Sequence, residues 1–274
     1  MPEARRVLGV AAAVALAAAG PVRSQTPEQP NLILTINAGF LTGGRLWSVA
    51  RQAAPVPSGL TYVYDTLSLG RVLRPGLAAS VSATYFRSPH LGYSVEVGFF
   101  GIGTESRCAP VSAYQPDPNA FNQRACQFIE GENINGDVVG FLAGFIWRAT
   151  TGGPQPFIRA GVGGGILGTS YVETAAPVGP NASEVFFLTE RSRKETTWMV
   201  SLGAGAMLPL APGYQLRFEA RDLIVALPIA TGPAAPDTTG AHPPYAPVGT
   251  RVMHLPTLSI GLDVVLEKKR GRRY

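Results

Sequence analysis

Apolar and polar residues alternate along eight segments of the chain, most of them about ten residues long. Alternation with a period of two is typical of β-strands whose two faces meet different surroundings. The connections between the segments are alternately long and very short, which predicts antiparallel strands that neighbour one another in sequence order. The predicted strands cover residues 32–41, 77–86, 93–103, 138–148, 157–172, 197–208, a segment that begins at 214, and 258–266.

The seventh segment assigns the two faces most clearly. Arg217 and Arg221 lie on one face, whereas Leu216 and Phe218 lie on the other. An arginine that faces lipid near the bilayer midplane costs about 2 to 4 kcal/mol, so the arginines are expected inside and the apolar residues outside. A soluble lipocalin-like barrel, the alternative, would show the opposite arrangement.

Strands of about 9 to 11 residues cross a bilayer when tilted, and a closed ring leaves no backbone edge in lipid. The sequence therefore predicts an all-β fold, an eight-stranded antiparallel up-and-down transmembrane β-barrel with short periplasmic turns and long extracellular loops. The predicted loops are residues 43–75, 104–136, 173–195 and 228–255.

Aromatic residues fall where two interfacial girdles are expected on such a barrel. The predicted periplasmic girdle contains Tyr85, Tyr93, Phe145, Trp147, Phe157 and Tyr214. The predicted outer girdle contains Phe40, Phe99, Tyr171 and Trp198.

The same alternation predicts a set of ionised side chains in the lumen. An eight-stranded barrel is only wide enough for its side chains to fill it, so opposite charges there are expected to pair and plug the lumen. A narrow pore for small solutes is the alternative, and it would require this charged lumen to open. The predicted network comprises Glu96, Arg148, Arg159, Arg217, Glu219, Arg221 and Asp263.

The two ends of the chain differ from the strand region. Residues 1–24 carry Arg5 and Arg6 before a short apolar run, which predicts an export signal cleaved near Ser24; a permanent anchor helix is the alternative. Residues 25–266 form the predicted barrel domain. The last eight residues, 267–274, hold five basic groups and one acidic group, so the pI of about 9.4 reflects a basic periplasmic tail. We therefore expect no nucleic-acid partner.

Two cysteines, Cys108 and Cys126, fall within one predicted loop. In an exported chain they predict a disulfide that closes a loop of about 18 residues, which the chain-entropy model values at roughly 3 kcal/mol. No histidine lies nearby and two thiols alone do not make a metal site, so none is expected.

Two further patterns have competing interpretations. Residues 163–168 match the G-x-G-x-x-G spacing of dinucleotide sites, but no helical pattern follows them, so no cofactor is expected. Residues 196–216 lack charge and could form a helical span. Pro209, Pro212 and Gly213 instead favour a strand, a turn and a second strand.

Three histidines are candidate catalytic residues: His90, His242 and His254. A lipid A-modifying enzyme would need a histidine and a serine beside the outer leaflet, and His254 with Ser170 or Ser259 is the one such combination. No acidic partner for His254 is evident in the sequence. We expect no catalytic site, and the enzyme remains an alternative.

The last predicted strand carries a pattern of its own. Ser259, Gly261, Val264 and Leu266 match the C-terminal assembly signal of outer-membrane barrels, although Leu266 stands where an aromatic residue is usual. Together with the eight-strand rhythm, this pattern resembles the OmpA-like and OmpX-like family. The resemblance implies a bacterial outer-membrane location and contact with the barrel assembly machinery.

These observations lead to one expectation about function. The chain is expected to be a monomeric, integral outer-membrane barrel with a structural or surface-interaction role. Its expected partners are outer-membrane lipid, lipopolysaccharide and the assembly machinery, and specific recognition would reside in the loops.

Overall fold

The structure is a computed structural model that describes residues 31–58, 61–112, 120–178, 183–189, 196–232 and 247–266. The predicted signal peptide and basic tail lie outside these residues, as does His242. In chain order the elements are β1 (Asn31–Leu41), β2 (Arg45–Ser58), β3 (Thr61–Leu73), β4 (Gly76–Phe86), β5 (Leu91–Ser112), α1 (Phe121–Gly131), β6 (Asn133–Arg148), β7 (Gln155–Leu167), β8 (Thr174–Val178), β9 (Ser183–Leu188), β10 (Thr196–Ala211), β11 (Tyr214–Ala230) and β12 (Val248–Leu266).

Eight of the strands form a ring in which every strand is hydrogen-bonded to two antiparallel neighbours. The order around the ring is β1, β4, β5, β6, β7, β10, β11 and β12, and β12 pairs with β1 again. The eight alternating segments of the sequence are thus confirmed as eight antiparallel strands that follow one another around a ring.

The connections divide the ring into two ends. Residues 87–90, 149–154 and 212–213 make short turns at one end, which is called the turn end below. Gly213 has a φ of 82° in the last of these turns, a conformation that favours glycine. The opposite end, called the loop end, carries the long connections.

The strand register fixes the tilt of the ring. A path around the ring can be traced by stepping from each residue to the residue paired with it on the next strand. The path that starts at Leu32 of β1 returns to the end of β1 at Thr42, ten positions further on. With a rise of about 3.3 Å per residue and a strand spacing of about 4.8 Å, this stagger over eight strands gives a tilt of about 40°. The path runs through Leu32, Tyr85, Tyr93, Phe145, Ala160, Leu202, Asp222, Pro256 and Thr42.

The strands continue well past their predicted bounds at the loop end. β5 runs to Ser112 instead of position 103, and β12 begins at Val248 instead of 258. The hairpin of β2 and β3 extends the sheet beside the upper part of β5, and β8 pairs with β9 in a separate small sheet. The described parts of the predicted loops therefore contain four further strands and a helix.

Two of the predicted girdle residues are placed wrongly by the sequence pattern. Phe157 is only 2% exposed and Tyr171 is fully buried, so neither contacts the surroundings of the ring. Phe157 has the same parity as Arg159 and therefore points inward with it. Tyr171 lies beyond the end of β7 at Leu167, so the predicted strand 157–172 is too long.

The uncharged segment 196–216 forms β10, a two-residue turn and the start of β11, as the prolines indicated. Within the described ranges, no helix is long and apolar enough to cross a membrane.

Candidate functional site

The interior of the ring consists of layers that differ in polarity. Strand β11 shows the order from the turn end towards the loop end: its inward residues are Arg217, Glu219 and Arg221, followed by Leu223 and Val225. An apolar layer closes the turn end below the charges, and it contains Ile33, Phe86, Ile146, Phe157 and Met207.

The ionised layer is a chain of alternating charges. Arg221 Nη1 lies 2.7 Å from Glu96 Oε1, and the other oxygen of Glu96 contacts Arg159 Nη2. Arg159 Nη1 lies 3.4 Å from Glu219 Oε2, which is 4.0 Å from Arg217 Nη1. Three arginines and two glutamates thus alternate along this part of the network, and each contacts only groups of opposite charge.

Asp263 forms the end of this chain. Arg217 Nε lies 3.0 Å from Asp263 Oδ1, and Thr35 Oγ1 donates a 2.6 Å hydrogen bond to the same oxygen. The six charged groups comprise three arginines and three carboxylates, so the network is formally neutral. None of their side chains is more than 3% exposed, and burial of that degree is tolerated because each charge has an opposite partner.

Arg148 is separate from these six residues. Its Nε donates to the carbonyl oxygen of Pro89 at 2.6 Å, and its Nη1 donates to Gln155 Oε1 at 3.0 Å. The guanidinium also lies over the Phe86 ring, 4.0 Å from the centroid. Arg148 thus braces the turns at the turn end of the ring, and its neighbour in the first of those turns, His90, contacts the Arg148 carbonyl oxygen through Nδ1.

A large apolar cluster fills the ring above the charges. It continues without a break into the space enclosed by β2, β3 and α1 at the loop end. Its members include Leu41, Leu46, Trp47, Leu69, Phe100, Ile102, Val138, Leu142, Met199, Leu223, Val225, Leu227 and Leu255. The interior is therefore occupied by side chains above and below the ionised layer as well as within it.

Helix α1 is attached to the loop end at two points. The Cys108–Cys126 disulfide joins it to β5, as predicted. Asn122 Nδ2 donates a 2.7 Å hydrogen bond to Asp65 Oδ2 on β3, and both residues are buried. The helix buries Phe121, Ala125, Cys126 and Ile129 beneath it, so it covers the apolar cluster.

The loop end also contains buried polar groups that the sequence did not indicate. Arg71 is fully buried; its Nη2 donates to the Glu173 carbonyl oxygen at 2.9 Å, and its guanidinium lies 5.6 Å from the Trp47 ring centroid. Burial lowers the pKa of the Arg71 guanidinium to about 10, although the nearby carboxylates of Glu132 and Glu173 oppose this shift. Burial likewise raises the pKa of the Tyr171 phenol.

The outer wall of the ring is a continuous apolar band. Its residues alternate with the buried polar ones along every strand, and typical exposures are 64% for Ile36, 58% for Val95 and 49% for Ile260. With the tilt derived above, the band extends from Leu266 to Trp198 over about 25 to 30 Å, close to the height of a bilayer core. Eight of the ten predicted girdle aromatics face outward from it: Phe40, Tyr85, Tyr93, Phe99, Phe145, Trp147, Trp198 and Tyr214.

The structure gives His254 an acidic partner. Its Nδ1 lies 2.6 Å from Asp222 Oδ2 on the outer wall, where both side chains are partly exposed. The two serines considered with His254 are placed differently: Ser170 Oγ accepts from the Glu173 backbone N–H in a turn, and Ser259 lies on the inner face. In the described part of the chain, no group of three or more His, Cys, Asp or Glu side chains could hold a metal ion.

The residues of the predicted assembly signal lie on both faces of β12. Ser259 and Gly261 point inward, whereas Val264 and Leu266 point outward, and Leu266 is 44% exposed. A Cβ atom at Gly261 would lie 2.9 Å from the Ile36 carbonyl oxygen of β1 and closer still to the Asn37 side chain, so the packing of the two strands favours glycine there.

Sequence reasoning did not identify several partners of the charged residues. Thr35 has the inward parity that would have suggested it for Asp263. Phe157 and Phe100 share that parity, and they lie 5.0 and 5.3 Å from the Arg217 and Arg221 guanidinium groups. Asp222 could not be joined to His254 without the register of β11 and β12, which pairs Ile224 with His254.

Comparisons with known proteins find similar solved structures at low identity. Neisserial surface protein A is 12% identical, and the match covers 86% of this chain and 99% of that one with a TM-score of 0.41. The outer membrane protein AlkL, solved in DMPC lipid bilayers, is 12% identical over 92% of this chain and 98% of that one, with a TM-score of 0.41. OprG from Pseudomonas aeruginosa is 11% identical over 86% and 96%, with a TM-score of 0.42.

No family model and no curated protein matches the sequence. Likeness to the solved structures at this level carries no inference about the chain. The strand register establishes its fold.

Proposed function

We propose that this chain is an integral protein of the bacterial outer membrane, a plugged eight-stranded barrel of the OmpA-like and OmpX-like kind. It acts without catalysis, through the surface that its loop end presents outside the cell. One observation carries this proposal: the wall of the ring is apolar on the outside, whereas its charges are paired on the inside.

A water-soluble ring would lose stability from this arrangement. Side chains such as Ile36 and Phe40 are 64% and 69% exposed, and they belong to a band that continues around the whole ring. Monomeric soluble proteins rarely expose contiguous apolar patches larger than a few hundred Å². In a bilayer the apolar outer wall contacts lipid, and the paired charges lie inside the ring, away from the lipid.

The paired charges and the apolar layers support a plugged lumen over an open pore. An ion that enters the ring would have to displace Arg159 from two carboxylates and would then meet the apolar cluster around Phe100. In this orientation the short turns face the periplasm, and the disulfide-braced loop end faces outward.

The loop end supports a role in surface interaction. The part of it that the structure describes packs on the same apolar cluster as the ring, carries a covalent brace and includes strands that continue above the lipid-facing band, so these residues present a folded surface. We propose lipopolysaccharide as its nearest partner, a monomer as its state, and recognition of the last strand by the barrel assembly machinery.

The lipid-facing wall can be tested with two arginine substitutions on the same strand. Ile260→Arg places a charge in the middle of the band, and Val248→Arg places one at the loop end; the two positions are 49% and 43% exposed. In folding titrations with urea in lipid vesicles, Ile260→Arg should lose about 2 to 4 kcal/mol and Val248→Arg close to nothing.

A ring surrounded by water would show no difference between the two substitutions. Both substitutions would then lie on a solvated surface and change the free energy of unfolding by less than about 0.5 kcal/mol. Equal, small effects at the two positions would therefore contradict the proposed membrane location.

A further inference from the structure

We infer that the outer wall holds a specific site for one acyl chain of a lipid that carries a hydroxyl or amide N–H near the head of that chain. The site consists of Asp222, His254 and the groove below them, and it rests on the membrane location proposed above. The class of lipid that fits it is the hydroxyacylated lipid A of the outer leaflet.

The groove is the first element of this site. It has a volume of about 670 Å³ and crosses the outer faces of β10, β11, β12 and β1. The residues that line it include two small ones, Ala204 and Ala220, and three large ones, Leu202, Leu258 and Phe40. Because small residues sit between large ones within the apolar band, the groove offers a hydrocarbon chain more contact than a flat wall would.

The Asp222–His254 pair is the second element, and it provides hydrogen-bond acceptors. A carboxylate only accepts, so His254 Nδ1 carries the hydrogen that Asp222 Oδ2 receives. Asp222 lines the groove and its side chain is 36% exposed, so the carboxylate oxygen that faces the groove is accessible to a bound molecule. An ionised carboxylate offers about four lone-pair sites, so Asp222 can accept a hydrogen bond from a lipid donor in addition to the one from His254.

The depth of the pair identifies the part of the lipid that meets it. From the tilt and the register, His254 lies about 27 Å above Leu32, level with the girdle residue Trp198, and Asp222 lies about 8 Å lower. At this depth a lipid presents the first carbons of its chains and the amide or ester links above them. Most phospholipid chains have no hydrogen-bond donor there, whereas a 3-hydroxyacyl chain does.

The site can be tested by native mass spectrometry of the full-length mature protein released from detergent micelles. The probes are lipid A with hydroxyacyl chains and, separately, a phosphatidylglycerol with plain chains. Wild-type protein should retain lipid A as a single adduct, about tenfold more than phosphatidylglycerol, a factor that corresponds to one net hydrogen bond.

Two substitutions remove the site in different ways. Asp222→Leu removes both acceptor oxygens and suits a lipid-facing wall, so the barrel should still fold; it should abolish the preference for lipid A. Ala220→Leu fills the groove and should lower retention of the lipid A adduct about tenfold. Ala79→Leu makes the same change at an outward alanine of β4 outside the groove, and it should behave like wild type.

The result that overturns the site is folded wild-type protein that retains both lipids equally, or Asp222→Leu protein that keeps the preference. Either result leaves the barrel itself intact. Failure of the proposed membrane location would look different, because the protein would then not associate with detergent micelles at all.

Discussion

Replacing Arg217 by alanine should lower the free energy of unfolding by about 3 to 5 kcal/mol. The substitution leaves the Asp263 carboxylate fully buried with Thr35 as its remaining partner, while Glu219 keeps its contact with Arg159. Glu219→Ala should cost less, because Arg159 and Arg217 each retain another carboxylate. Urea titrations in lipid vesicles measure both losses.

Arg217→Met distinguishes the effect of the lost charge on stability from the effect of the lost packing. Methionine keeps much of the side-chain volume beside Phe157 but cannot donate to Asp263, so a loss close to that of alanine is expected. The double variant Arg217→Met with Asp263→Leu removes both charges, and it should be more stable than Arg217→Met alone. Unchanged stability in every variant would show that these groups are solvated.

The wild-type barrel should show no steady ion current in planar bilayers. The ionised layer blocks the lumen with three arginines and three carboxylates, and the apolar cluster blocks it again nearer the loop end. Glu96→Leu and Arg221→Met together remove the Arg221–Glu96 and Arg159–Glu96 pairs. This double variant should also give no current, because Phe100, Leu142 and Leu223 still fill the ring.

A small-solute pore would behave differently in the same recordings. It would conduct without any substitution, and neutralising Glu96 and Arg221 would change its ion selectivity. Steady currents from the purified wild-type protein would contradict the plugged lumen.

The sequence predicts the ring well because lipid imposes a strict alternation on the strands that it surrounds. In β11 the alternation holds from Tyr214 to Arg221 and then gives way to an almost continuous apolar run, Leu223 to Leu227. This run lies near the loop end, where the inner face packs against an apolar core. The predicted bounds fail instead at β5 and β12, which extend beyond positions 103 and 258 at the loop end, because the alternation stops before the strand does.

The sequence alone predicts some features of the candidate sites and leaves others to the structure. Parity alone identifies which charges point inward, but the pairing of Arg159 with both Glu96 and Glu219 requires the register between four strands. Helix α1 did leave a signal, since Phe121, Ala125, Cys126 and Ile129 recur with helical spacing. Asp222 and His254 lie 32 positions apart, and only the antiparallel register brings them together.

The three tryptophans allow the most direct test of the claim that lipid surrounds the wall and side chains fill the interior. Trp147 and Trp198 are 45% and 49% exposed on the outer wall at opposite ends of the band, whereas Trp47 is buried and donates to the Tyr171 carbonyl oxygen. Three variants, each with one tryptophan left and phenylalanine at the other two positions, are inserted into vesicles of phospholipids with brominated acyl chains. Strong fluorescence quenching of Trp147 and Trp198 together with an unquenched Trp47 is the predicted result, and unquenched Trp147 and Trp198 would contradict it.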